Sequence, residues 1–219
     1  MCNLYTLRTS AAEVASLFGA APPLATNSPD ETVPGHPGLV VRELEGQRVV
    51  QSMTWGFPLP QKSKRSGQPI KPLPVNNVAD LAKPMWRGIA PKPRWRCIIP
   101  ATGFAEAEGE PRRKTRTWFS VKDQPIFAWA GFWRESVEWG PVYTGLMTGC
   151  NEAVRPYHDR MPVLLHPDEH DRWLQGDMDD VIGFQARRYP PALIVVERTS
   201  ELWIKRAGAA QAGAESRWL

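Results

Sequence analysis

Three residues far apart in the chain carry groups suited to carbonyl chemistry: Cys2, Glu106 and His158. Initiator methionine is generally removed when the second residue is small, and removal of Met1 gives Cys2 a free α-amine next to its thiol. With reference pKa values of about 7.7–8.0 for the amine and about 8.5 for the thiol, both are partly nucleophilic near neutral pH. Such a 1,2-aminothiol is matched to aldehydes. The amine condenses to an imine, and the thiol closes a five-membered thiazolidine on the same carbon. The plainer reading, a small hydrophobe at a chain end, stays open for this residue alone.

Glu106 follows the apolar run CIIPATGFA (97–105), where strand-like alternation would bury its carboxylate. Burial raises a carboxyl pKa, and a carboxyl kept protonated or shared with a nearby imidazole serves as both acid and base. A solvated turn glutamate is the alternative. His158 stands with Asp159 and Arg160 in NEAVRPYHDRMPVLL (151–165), which joins a proton carrier to a phosphate-gripping guanidinium. A surface ion-pair cluster would look the same. KPMWRGIAPKPRWRC (83–97) sets Lys83, Arg87, Lys92, Arg94 and Arg96 among Trp86 and Trp95. That mixture suits a groove that neutralises phosphates and stacks unpaired bases, or else a core with a charged rim.

Positioning these groups falls to short elements, because 22 Pro and 17 Gly leave little room for long helices or uninterrupted strands. Ser10 with Glu13, ahead of Val14, Leu17 and Phe18, forms a capping-box pattern that predicts a helix over 11–18. GLVVREL and RVVQSMTW, joined by Glu45-Gly46, predict a hairpin ending at Trp55. Residues 57–75, with five prolines and the cluster Lys62, Lys64 and Arg65, read as a surface loop, after which Asn77 caps a short helix. RWRCIIP, TRTWFSVK, PIFAWAGFW and VYTGLMTG predict four closely spaced strands. His166-Pro167-Asp168 opens a helix of about two turns, and ALIVVERT (192–199) forms a last strand. The resulting expectation is an α+β fold of short helices flanking closely spaced strands that form a sheet or a barrel.

At 219 residues the chain is one domain's length, read as a single domain over 2–206 with a loosely held tail at 207–219. Three cysteines, an odd number without any CxxC, argue against a disulfide scaffold or a structural zinc site, so neither metal nor cofactor is expected. No signal-peptide pattern and no apolar run of about 20 residues is present, which points to the cytoplasm and away from membranes. The net charge of +4 permits a polyanionic partner without requiring one.

Met-Cys at the start, Val75-Asn76, Lys83-Pro84 with Arg87, RCIIPATGFAE and HDRMPV together resemble the SRAP domain, the SOS-response-associated peptidase family that processes abasic sites in DNA. The match runs in order from residue 2 to about 165. The resemblance implies a mixed α+β fold, a barrel-like antiparallel sheet core with short flanking helices. It also implies binding to single-stranded DNA and capture of the ring-opened sugar aldehyde of an abasic site as a covalent crosslink to Cys2. Asn76 would hold the opened sugar, Glu106 would act as acid and base, His158 would assist proton transfer and Arg160 would contact phosphate. Arg87, Arg94, Trp55 and Trp86 complete the expected DNA contacts. A monomer at the nucleoid is the implied working form, and autopeptidase and lyase character belong to the family. The chain departs from the family's Gly-Arg at Asn3-Leu4 and from its Asn-Ala-Arg triplet at Asn76-Asn77-Val78, which removes two arginines. Ala105 and Ala107 replace an aromatic pair beside Glu106.

Two other functions fit the same residues. An N-terminal-nucleophile amidohydrolase would also expose Cys2, but it needs an oxyanion hole and a carboxylate clamp for which no motif stands out. A non-catalytic single-strand binder would use the basic and aromatic residues alone.

Overall fold

The computed structural model describes residues 2–22, 26 and 28–203. In chain order the elements are β1 (Tyr5–Thr6), α1 (Ala11–Phe18), β2 (Glu31–Thr32), β3 (Pro37–Leu44), β4 (Gln47–Trp55), β5 (Phe57–Lys62), β6 (Pro69–Val75) and β7 (Asn77–Val78). There follow β8 (Arg96–Ala101), β9 (Gly103–Glu108), β10 (Thr115–Val121), β11 (Phe127–Ser136), β12 (Gly140–Gly149), β13 (Arg160–Pro162) and β14 (Leu164–Leu165). Helices α2 (His170–Gln175) and α3 (Met178–Ala186) precede the last strand, β15 (Ile194–Leu202).

The larger sheet closes on itself through β12, β4, β3, β8 and β11, with β11 pairing back to β12. All contacts of this ring are antiparallel except β4 with β12, where Val142 lies beside Thr54 in a parallel pair. The expected α+β class with a barrel-like core is therefore the observed one. A second sheet, in the order β15-β10-β9-β1-β2, carries the amino terminus.

Strand alternation divides the core in two. Ala128, Ala130 and Phe132 of β11 face the helices, packing with Phe18 of α1, Trp173 and Leu174 of α2 and Phe184 of α3. Phe127, Trp129 and Trp133 of the same strand join Tyr5, Phe104 and Phe119 of the second sheet. The phenols of Tyr5 and Tyr143 hydrogen-bond across that junction.

Several local expectations are met. Helix α1 occupies 11–18, with Ser10 Oγ accepting from Glu13 N–H at 3.2 Å and Ser10 N–H donating to Glu13 Oε2 at 2.8 Å. The β3–β4 turn places Glu45 at φ 52° and Gly46 at φ 80°, the left-handed pair that a two-residue hairpin turn demands. The four strands and the last one fall where the patterns put them, with the segment at 167–169 forming a 3-10 turn that runs into α2.

Two expectations are corrected. Residues 57–75 are not a loop: β5 and β6 pair as an antiparallel ribbon, Phe57 opposite Val75 and Lys62 opposite Pro69. A ribbon of two edges tolerates proline because half of its N–H groups face solvent, so proline density alone does not exclude strand. Asn77 caps no helix. It lies in β7, which continues the line of β4 along β12, with Trp55 beside Tyr143 and Asn77 beside Gly145. Helix α3 had no clear periodic signal, and the tail at 207–219 lies outside the described residues.

The barrel wall requires glycine at 145, because the Trp129 indole lies across it and donates from Nε1 to Leu146 O at 2.8 Å. A methyl group there would overlap the ring. Gly145→Ala should therefore lower stability by about 1–3 kcal/mol, read as an earlier urea midpoint with an unchanged slope. An unchanged midpoint would contradict this packing.

Candidate active site

Chain termini usually fray, yet Cys2 has no exposed surface. Strand β1 inserts between β2 and β9, and Leu4 O accepts from Ala105 N–H at 3.0 Å, which extends the pairing toward the first residues. The Cys2 carbonyl accepts two side-chain amides, Asn77 Nδ2 at 2.7 Å and Asn76 Nδ2 at 3.2 Å. Asn76 also donates to Asn3 Oδ1 at 3.1 Å. Its own carbonyl accepts from Trp55 Nε1 at 2.9 Å and from Gly145 N–H at 3.0 Å. The barrel thus grips the amino-terminal residue through an asparagine pair at the start of β7.

The register that sets Tyr5 opposite Phe104 brings Glu106 beside the Cys2–Asn3 segment. Glu106 is 5 % exposed, and its Oε1 is buried without a hydrogen-bond partner among the described residues. Burial, with a contribution from the charge of Asp159, raises its pKa from 4.5 to about 7. The replacement of the flanking aromatics by alanine does not undo this, because Ala105 is itself buried and Phe104 and Phe119 stack at 5.0 Å alongside. The Cys2 thiol is pushed well above its ordinary value by burial and by the nearby Glu106 charge, so it stays protonated.

His158 reaches this neighbourhood on a loop closed by Cys150 N–H donating to Asp159 O at 3.0 Å. Asn151 Oδ1 accepts from Val154 N–H at 3.1 Å inside the loop, and Tyr157 packs edge-on against Phe119 at 5.4 Å. His158 Nδ1 lies 3.0 Å from Arg160 N–H and 2.9 Å from Asp159 Oδ1. One nitrogen cannot accept from the first and donate to the second. Burial lowers the imidazole pKa, which favours the neutral ring accepting from Arg160 and carrying its proton on Nε2.

Cys2, Asn76, Glu106 and His158, drawn from four separate stretches of chain, therefore share one region. Arg160 opens β13 beside it and is half-buried. Arg87 and Arg94 are exposed, and Arg94 lies over the Trp95 ring at 5.1 Å, with no contact among the described residues joining either to Cys2. Trp55 and Trp86, expected to stack bases, are 0 % and 1 % exposed and offer no ring face. Trp55 instead positions Asn76, and Trp86 packs on Phe57 at 5.6 Å. Leu4 and Val78, at the positions of the two missing arginines, are core residues. Sequence reasoning missed Asn77, whose adjacency to Asn76 was its one signal.

A closed β-barrel holds a buried cysteine at position 2, an asparagine clamp on its carbonyl and a buried carboxyl oxygen with no hydrogen-bond partner among the described residues. The chain belongs to the SOS response associated peptidase (SRAP) family, whose family model matches residues 1–197. Among curated proteins it is similar to the abasic site processing protein YoqW of Bacillus subtilis, 34% identical over 100 residues, which is 43% of this chain and 45% of that protein. It is also similar to the abasic site processing protein YobE of the same species, 28% identical over 147 residues, 63% of this chain and 64% of that one. The chain thus matches less than two thirds of the length of these relatives. Two crystal structures share the fold. One is of a protein from Bordetella bronchiseptica, with TM-score 0.73, 23% identity and coverage of 90% of this chain and 99% of that one. The other is of a protein from Bacteroides thetaiotaomicron, with TM-score 0.71, 19% identity and coverage of 90% and 91%.

The raised carboxyl has a consequence for stability. Between its ordinary pKa of 4.5 and about 7, the folded state keeps a proton on Glu106 that the unfolded chain releases, so this group's contribution falls as pH rises through that window. Glu106→Gln, which cannot ionise, should lack this dependence. Urea unfolding at about pH 5 and about pH 8 should show wild type losing up to about 3 kcal/mol relative to the variant. Parallel pH profiles would contradict the burial of an unpaired carboxyl.

Proposed function

We propose that this protein processes abasic sites in single-stranded DNA by crosslinking Cys2 to the ring-opened sugar aldehyde. The observation that carries the reading is a buried Cys2, its carbonyl held by two asparagine amides, near Glu106, whose buried Oε1 has no hydrogen-bond partner among the described residues. The names of the curated relatives, abasic site processing proteins, support the substrate class.

Removal of Met1 frees the Cys2 amine. The amine attacks the aldehyde carbon to give a carbinolamine, and protonated Glu106 donates the proton with which water leaves, forming a protonated imine. The Cys2 sulfur then adds to the imine carbon. Its proton returns to the Glu106 carboxylate while the nitrogen keeps its own, so aldehyde and aminothiol become thiazolidine and one water. A carboxyl titrating near 7 suits both directions of transfer, because it gives up and takes back a proton at little cost near neutral pH. Neutral His158 is suited to relay protons at the leaving oxygen, and Arg160 to pair with the adjoining phosphate. Both amide hydrogens of Asn76 are engaged by Cys2 and Asn3, which leaves its Oδ1 to accept from a sugar hydroxyl. Cys2 is fully buried, so entry of the aldehyde requires displacement of the chain start.

On a denaturing gel with an abasic oligonucleotide, wild type should form a slow-migrating band and Cys2→Ala none. Glu106→Gln should form the band at a rate lower by about 100-fold or more. An undiminished band from Cys2→Ala would overturn the proposal. Glutamine-dependent ammonia release without any crosslink would favour the amidohydrolase reading.

A further inference from the structure

Between Trp55, which holds Asn76, and Asn76 itself the chain leaves the barrel and returns as the β5–β6 ribbon. Its root is fixed. Gly56 adopts φ 120°, donates to Tyr143 O at 2.7 Å and abuts Pro74 so closely that a Cβ would overlap it. Phe57, fully buried, packs on Trp86 and lies under the Arg134 guanidinium at 4.8 Å. Its tip is ordered as well: Ser63 N–H donates to Gln68 O at 2.9 Å, and Ser63 Oγ accepts from the N–H groups of Arg65 and Ser66. At about 3.3 Å per residue, the six residues of β5 carry the tip about 20 Å from the root.

The ribbon's composition selects its partner. Residues 57–75 contain Lys62, Lys64, Arg65 and Lys71 and no acidic residue, four positive charges in a chain whose net charge is +4. All four are exposed and have no acidic partner among the described residues. Five prolines remove backbone donors from both strands, which makes the ribbon a poor template for adding a peptide strand. Leu59, Leu73 and Ile70, exposed by 41 %, 57 % and 52 %, give it apolar surface between the charges. Projecting cations interspersed with apolar side chains on a stiff backbone match a single nucleic-acid strand, whose phosphates and base faces alternate likewise.

We infer that the β5–β6 ribbon is a preformed arm that binds the DNA strand flanking the abasic site, through Lys62, Lys64, Arg65 and Lys71 on phosphates. This rests on the single-stranded DNA reading above and adds to it a second contact region, remote from Cys2 but rooted at Asn76. Because the arm is already ordered, little conformational entropy is lost when it engages.

The test is non-covalent binding to intact oligothymidylate, about 20 or about 5 nucleotides long, followed by fluorescence anisotropy across a salt series. The triple variant Lys62→Gln, Lys64→Gln, Arg65→Gln should show a slope of log affinity against log salt shallower by about 2 on the long strand, at about 0.7 per lost phosphate contact. The difference should vanish on the short strand, and replacing both lysines by arginine should preserve the wild-type slope. Identical slopes for wild type and triple variant on the long strand would overturn the arm and leave the ribbon to a protein partner, even while wild type still crosslinks abasic DNA. Failure of wild type both to bind the long strand and to crosslink would remove the reading beneath it as well.

Discussion

Everything at the site depends on holding the first residues of the chain inside the protein. Two asparagine amides on the Cys2 carbonyl and the pairing of β1 with β9 do this, and each is anchored elsewhere. The Asn76 carbonyl is tied to the Trp55 indole and to β12, and β12 belongs to the closed ring. A reactive terminus on a frayed end would meet any aldehyde in solution. Burial keeps this thiol protonated, and under the proposed function it confines the thiol's chemistry to a ligand that brings its own binding energy.

Burial has a second consequence, at Glu106. A carboxylate in that position with no partner is unfavourable, and the group responds by retaining its proton to a higher pH. Under the proposed function, stability and chemistry are thus in tension at one side chain. Phe104, on the strand that carries Glu106, stacks on Phe119, and Tyr157 packs edge-on against Phe119.

The fold gathers three residues that the sequence singles out, Cys2 by its position, Glu106 by the apolar run before it and His158 by its company, and their chemistry belongs to the proposed function. Strand spacing allowed a sheet or a barrel, the resemblance implied the barrel, and α1 followed from its capping box. What escaped depended on three-dimensional context. Trp55 and Trp86 read as stacking surfaces because sequence does not say which face of a tryptophan is covered; here both are core. Proline density in 57–75 suggested a loop, since the rule against proline applies to central strands and not to a ribbon with two free edges. Asn77 read as a cap, because nothing local shows that a strand residue will reach across to the carbonyl of residue 2.

The central claim is that nitrogen and sulfur of the same cysteine end on one carbon. Its most direct test is peptide mass spectrometry of the covalent product after nuclease and protease digestion. The account predicts a sugar fragment on the peptide beginning at Cys2, lighter by one water than simple addition, with Met1 absent and the thiol closed to alkylation. A fragment on a lysine, or on Cys2 with Met1 still attached, would contradict it.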